Sequence, residues 1–182
     1  MSGLHSVNVL LVDDNQHMRA ITSAILQSAG MRNIREVADG AAALDTLREH
    51  PIDLAIVDFN MFPLDGVEFT RLVRNSPDSA NPYLPIIMMT GHSERSRVTE
   101  ARDAGVTEFV AKPITAKAVF DRIKAVILKP RPFIKAETYF GPDRRRVKVQ
   151  NYRGPFRRAD DPKSDEFAQP GDGASGLDSI TI

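Results

Sequence analysis

The sequence predicts an α/β protein, a doubly wound five-stranded parallel sheet followed by an extended or disordered tail. Three observations predict it. From Val7 to Leu128, short apolar runs rich in β-formers alternate five times with segments of helical period. The connections between them are short, as successive βα units require. After Lys129 the alternation ends, and Pro130, Pro132, Pro142, Pro155, Pro162 and Pro170 fall among scattered glycines.

Val7–Val12 (VNVLLV) is too short for a buried helix and apolar enough for a central strand. Gln16 to Ala29 carries Met18, Ile21, Ile25, Leu26 and Ala29 at helical spacing and stops at Gly30. Ile34–Ala38 reads as strand and Ala41–Glu49 as helix, closed by Pro51. Asp53–Val57 is the third strand and Val67–Arg74 the third helix. A loop through Pro77 and Pro82 leads to a fourth strand at Pro85–Met89 and a helix at Arg95–Ala104. Glu108–Ala111 and Thr115–Ile127 complete the fifth unit.

Composition narrows the function classes. With 182 residues and no cysteine, the chain has room for one domain plus an appendage, and disulfides and thiolate metal sites are excluded. No apolar run approaches the roughly 20 residues a bilayer helix needs, and the start lacks a signal-peptide pattern. A soluble, cytoplasmic protein without membrane insertion is therefore expected. The net charge of zero conceals asymmetry: residues 129–158 hold 10 basic side chains against 2 acidic, and residues 159–182 hold 1 against 6. Such a basic stripe predisposes to an anionic partner.

In a doubly wound sheet, ligands bind beyond the carboxyl ends of the strands. The polar residues expected there are Asp13 and Asp14, Asp58, Thr90 and Lys112. Three converging carboxylates repel one another unless a cation sits among them, and hard oxygen donors suit a partly hydrated Mg²⁺. Lys112 and such a cation would neutralise charge on a phosphoryl group transferred to a carboxylate, with the Thr90 hydroxyl donating to it. Taken singly, Asp13-Asp14 also fits a helix N-cap and Thr90 an ordinary strand end. Five suitable residues at the ends of four of the five strands favour the site.

LLVDDN, DFNMFPLDG, MMTG and FVAKP, in that order and spacing, resemble the motifs of CheY-type response-regulator receivers, a flavodoxin-like fold. The resemblance covers about residues 5–128. It implies that Asp58 is the phosphoacceptor, and that Asp14, Asp58 and the backbone carbonyl of Asn60 hold the metal, with Asp13 acting through water. It also implies that Thr90 is the switch hydroxyl, Lys112 the phosphoryl-contacting lysine and Phe109 the switch aromatic. One departure is visible: Met61 is followed by Phe62 before Pro63, where the family usually has Met-Pro. Asp65-Gly66 keeps its distance from Asp58, so the departure bears on partner choice and autophosphatase rate.

The tail contains a repeat. Tyr139-Phe140-Gly141-Pro142-Asp143-Arg144-Arg145 returns 13 residues later as Tyr152-Arg153-Gly154-Pro155-Phe156-Arg157-Arg158, sharing Tyr-x-Gly-Pro-x-Arg-Arg. Arg131-Pro132-Phe133 precedes it and Arg146 follows the first copy. Arginine grips phosphate and the guanine edge and stacks on purines, and aromatic rings add stacking faces. Gly-Pro is expected to form a turn aiming the arginines at a ligand, and Asp143 to accept from guanine. Two half-sites suit a two-fold ligand such as cyclic di-GMP, wrapped by a segment that folds on binding.

A receiver with this tail resembles the Cle group of CheY-like cyclic-di-GMP effectors. The resemblance implies that Arg131, Tyr139, Asp143, Arg144, Arg145, Arg146, Tyr152, Arg153, Arg157 and Arg158 contact cyclic di-GMP. It also implies that ligand binding orders the tail and favours docking on the flagellar motor switch in chemotaxis and motility, with recruitment to the motor at the cell pole. The expected organisation is a receiver over 5–128, an arginine-rich ligand segment over 129–159 and a disordered acidic stretch over 160–182. Docking is expected through the fourth helix, fifth strand and fifth helix. A histidine kinase is a further expected partner; DNA is not. Two other classes are compatible with the residues: a phosphorelay receiver with an idle tail, and a non-specific RNA or DNA binder. No constellation for substrate turnover is expected beyond the receiver's phosphoryl chemistry, since His5 and His92 lack a companion nucleophile or metal set.

Overall fold

The structure, a computed structural model, describes residues 4–91 and 95–144. Five strands, β1 (Asn8–Val12), β2 (Asn33–Val37), β3 (Leu54–Asp58), β4 (Ile86–Thr90) and β5 (Glu108–Ala111), pair in the order β2-β1-β3-β4-β5. Every pair is parallel. The crossovers are α1 (Gln16–Ser28), α2 (Gly40–Glu49), α3 (Gly66–Asn75) and α4 (Val98–Ala104), and α5 (Ala116–Leu128) follows β5. This is the doubly wound sheet the alternation predicts. Strand order reverses between β1 and β3, the place where such folds put their chemistry.

Period-2 alternation within the central strands builds two cores. Val9, Leu11, Leu54, Ile56, Ile87, Met89 and Val110 face α1 and α5, meeting Leu26, Val119, Ile123 and Val126. Leu10, Val12, Ala55 and Val57 face α2 and α3, meeting Ala43, Leu47, Phe69 and Val73. Met88 and Phe59 meet Ala101, Ala104 and Val106 beside α4. Burial on both faces explains why β1, β3 and β4 read as unbroken apolar runs.

The helix starts are chemically marked. Asn15 caps α1 by accepting from the amides of His17 and Met18. Asp13 and Asp14 are thus not its caps, which removes the ordinary alternative for that pair. Asp65 and Glu68 form a reciprocal capping box on α3. The expected helix from Arg95 begins as a 3₁₀ turn, Arg95–Arg97, before α4 proper.

Beyond α5 the chain does not simply run on as an unpaired segment. β6 (Phe133–Ala136) and β7 (Tyr139–Pro142) form an antiparallel hairpin closed by the two residues Glu137 and Thr138. The hairpin belongs to the same compact unit as the sheet. Gly141-Pro142, expected as a turn, instead lies inside β7. The reason is steric. A Cβ on Gly141 would meet the Tyr139 hydroxyl at 2.6 Å and Gly105 Cα at 2.9 Å, so the glycine permits close backbone approach. Gly105 itself caps α4 at φ 103°, a conformation that needs glycine.

A buried arginine holds this junction. Arg74, 3 % exposed, donates through Nε and Nη2 to the Gly105 carbonyl and through Nη1 to the Pro82 carbonyl. Its guanidinium lies 5.0 Å from the centre of the Phe133 ring. Tyr83, Phe133 and Phe140 close over it as a triad, with centroids 5.2–5.7 Å apart. Desolvation pushes the Arg74 guanidinium down to about 10, with the nearby Tyr139 acting in the opposite sense.

Candidate functional site

The parallel register fixes the positions of the charged groups. Val12 pairs with Val57, so Asp13 and Asp58 emerge side by side at the ends of β1 and β3. Thr90 pairs with Ala111, which brings Lys112 alongside. One carboxylate oxygen from each of Asp13, Asp14 and Asp58 lies within 4.8 Å of the others. Asp13 is fully buried, Asp58 is nearly so, and Asp14 is exposed. Lys112 Nζ sits 2.7 Å from Asp58 Oδ1 and 3.8 Å from Asp13 Oδ2.

Three carboxylates thus face one ammonium. Burial away from water pushes the Asp58 carboxyl above its usual range, against the hydrogen bond and charge of Lys112. Asp13 is raised for the same first reason, against the Asn15 amide and Lys112. Asp13 Oδ2 is buried with no hydrogen-bond partner. An orphaned hard oxygen, two more carboxylates and an opening at Asp14 fit a partly hydrated magnesium ion.

The remaining pocket residues are close by. The Thr90 hydroxyl is buried and donates to the Gly91 carbonyl at 3.1 Å. Phe109 is half-buried against the cluster of Phe59, Met88 and Ala101. Asn60 is exposed in the loop after β3. Gly66 returns that loop to the strand: a Cβ there would lie 2.4 Å from the Asp58 carbonyl oxygen. Phe62, in the same loop, is 84 % exposed beside the pocket.

A response regulator receiver domain matches residues 9–124. The chain belongs to the response-regulator receiver family. The receiver is 34 % identical over 120 residues to the chemotaxis protein CheY of Pseudomonas aeruginosa, covering 66 % of this chain and 95 % of the relative. It is 31 % identical to chemotaxis protein CheY-3 of Vibrio cholerae, covering 66 % and 92 %. Among solved structures it resembles CheY4 of Vibrio cholerae, with TM-score 0.60, 31 % identity, and 66 % and 98 % of the two chains covered. It also resembles the receiver domain of a Pseudomonas aeruginosa sensor histidine kinase that was crystallised with magnesium in its active-site cleft. There the TM-score is 0.61 at 27 % identity, with 68 % and 98 % covered. The family match stops before the β6–β7 hairpin begins. Among the described residues, no helix is long and apolar enough to cross a membrane.

Three side chains contribute to the site that sequence reasoning passed over. Arg19 donates to the Asp13 carbonyl at 2.6 Å and approaches Glu36. Arg97 pairs with Asp65 and Glu100 and lies 5.0 Å from the centre of the Phe59 ring, tying the start of α4 to the loop after Asp58. Arg71 extends this network from α3 through Glu100. The available signal was the helical spacing of Arg97 and Glu100; Asp65 and Arg71 join only in three dimensions.

In the tail segment the structure describes four of the ten expected ligand contacts. Arg131 turns inward: it donates to the Thr107 carbonyl and the Asp143 carbonyl and pairs with Glu108. It therefore anchors the hairpin rather than standing open to a ligand. The Asp143 amide bonds the Pro132 carbonyl at 2.8 Å. Tyr139 donates its hydroxyl to the Pro142 carbonyl at 2.7 Å. Arg144 lies with its guanidinium 3.9 Å from the centre of the Tyr139 ring and 3.2 Å from an Asp103 carboxylate oxygen. Arg145, Arg146, Tyr152, Arg153, Arg157 and Arg158 lie outside the described residues, as does the stretch 160–182.

Proposed function

We propose that the protein is a two-input signalling effector: a receiver switched by phosphorylation at Asp58 and a tail that binds cyclic di-GMP, with docking on a partner protein as output. The observation that supports the first input is the Lys112–Asp58–Asp13 cluster at the strand-order reversal. An Asp58 oxygen attacks the phosphorus of a phosphohistidine donor such as a histidine kinase; the new P–O bond forms as the P–N bond breaks, and the imidazole leaves with the electron pair. Lys112 meets charge on the transferred oxygens, and the Thr90 hydroxyl turns from Gly91 to donate to the phosphoryl group. Asp14, Asp58 and the Asn60 carbonyl would hold Mg²⁺, with Asp13 acting through water; the ion supplies charge neutralisation at the phosphoryl oxygens. Phe109 follows Thr90 and alters the face formed by α4, β5 and α5. The chemotaxis relatives support a flagellar motor switch protein as the docking partner.

The second input rests on the Tyr-x-Gly-Pro-x-Arg-Arg repeat, two aromatic-and-arginine half-sites suited to two guanines and two phosphates. Calorimetry of the full chain with cyclic di-GMP tests it, with GTP and a short RNA as controls. The double variants Arg144→Ala/Arg145→Ala and Arg157→Ala/Arg158→Ala are the informative comparisons, because each removes the paired arginines of one copy of the repeat. Saturable heat with cyclic di-GMP alone, lost in these variants, is expected. Equal heat with RNA, falling steeply with salt, would instead identify a non-specific polyanion contact.

A further inference from the structure

We propose that Asp103, at the carboxyl end of α4, is an internal competitor for the first arginine-rich half-site and sets its affinity for the nucleotide. This rests on the reading of the tail as a cyclic-di-GMP site and adds a receiver residue to it.

A guanine nucleotide would ask two things of this copy of the repeat: an aromatic face for the base and a cation for the phosphate or the guanine edge. Both are already engaged with each other. The Tyr139 ring is covered by the Arg144 guanidinium, 3.9 Å from its centre. The Tyr139 hydroxyl is bound to the Pro142 carbonyl, which fixes the ring on the hairpin. The Arg144 cation faces Asp103, with Nη1 3.2 Å from Oδ1. A guanidinium thus occupies the place of a base, and a carboxylate the place of a phosphate.

This closed arrangement is incomplete. Arg144 Nε is buried without a hydrogen-bond partner among the described residues, so the fork of donors is only partly used. The ion pair is open to water, with 24 % of the Arg144 side chain and 48 % of the Asp103 side chain exposed, so it holds weakly. A phosphate or guanine edge can engage two donors of the fork at once, whereas Asp103 is placed against one. While Asp103 stays ionised beside the guanidinium, however, it repels the incoming phosphate. Binding therefore exchanges Arg144 from α4 to the ligand, and the free protein resists that exchange through a single carboxylate.

Among the described residues, the ion pairs of Asp103 are with Arg102 and Arg144, not with the carboxylate pocket around Asp58. Arg102 Nε lies 3.5 Å from the same carboxylate oxygen that faces Arg144. Removing the Asp103 charge is expected to leave the pocket around Asp58 unchanged, since Asp103 is paired with Arg102 and Arg144 rather than with Lys112.

The test is calorimetry with cyclic di-GMP on the full chain, comparing wild type, Asp103→Asn and Asp103→Ala at low and at high salt. Thermal melts confirm that the variants fold. Both variants are expected to bind about three-fold tighter at low salt, the scale of one exposed ion pair, with the gain shrinking at high salt as screening weakens the competitor in the wild type. Wild-type binding with unchanged or weaker binding by both variants overturns the competitor role while leaving the tail reading intact. No wild-type binding at all overturns the tail reading, and this inference with it.

Discussion

At the residue scale, the pocket is defined by charges the protein alone does not balance. Asp13 and Asp58 are both raised from the ordinary carboxylate value of 3.8, chiefly by burial. A raised acid favours the folded state in its protonated form. That contribution is fully present below pH 3.8 and is lost as pH rises through the folded values. At neutral pH, without a dication, the ionised pair is therefore a liability. Asp13→Asn is expected to melt a few degrees higher than the wild type in chelator at pH 7, the gap closing as pH falls towards 4. Magnesium is expected to raise the wild-type melt more than that of the variant, which keeps Asp14 and Asp58 but loses one carboxylate charge. Scanning calorimetry across pH, with and without magnesium, checks both. Arg74 is the opposite case, a buried cation satisfied by carbonyls. Arg74→Ala leaves those carbonyls unmatched and opens a void, at a cost of about 3 kcal/mol by urea unfolding. The carboxylates were legible in the sequence because strand ends put them at a known place. Arg74 was not, since Gly105 and Pro82 become its neighbours only when α3, α4 and β4 assemble.

At the element scale, the five βα units follow their periodicity almost residue for residue; the shifts are at boundaries, as where Asp58 closes β3 instead of following it. The hairpin was hidden for physical reasons. Its strands are four residues each, its turn is Glu137-Thr138 with no glycine or asparagine, and a proline stands at its last position. A tertiary contact supplies what local propensity does not, namely the seat for Gly141 on Gly105. Gly141→Ala drives a methyl group into backbone and the Tyr139 hydroxyl. The hairpin is expected to open independently of the sheet, so that hydrogen exchange at Ile134 and Tyr139 accelerates at least ten-fold while β1 and β3 stay protected.

For the whole molecule, the compact fold runs past the family match. A chain ending at Leu128 keeps every residue of the carboxylate pocket but strips Phe133 and Phe140, two of the three rings, from Arg74. It is expected to melt several degrees below a chain ending at Arg144, while accepting phosphate on Asp58 from a small-molecule donor to the same extent. Differential scanning fluorimetry and a phosphorylation assay separate the two effects. The hairpin meets Tyr83 and Gly105, and Arg131 just before it bonds the Thr107 carbonyl, at the amino ends of β4 and β5, while Thr90 and Lys112 stand at their carboxyl ends. The hairpin and the carboxylate pocket therefore lie at opposite poles of the same strands.

The seat of the hairpin has a consequence for transplantation. It is spelled by Arg74, Tyr83 and Gly105, three residues scattered through the receiver and absent from the tail itself. The hairpin is thus a plug that comes without its socket. Fused to a receiver with a side chain at the position of Gly105, the same residues would have no place to seat; installing the three socket residues in that host should restore the seat.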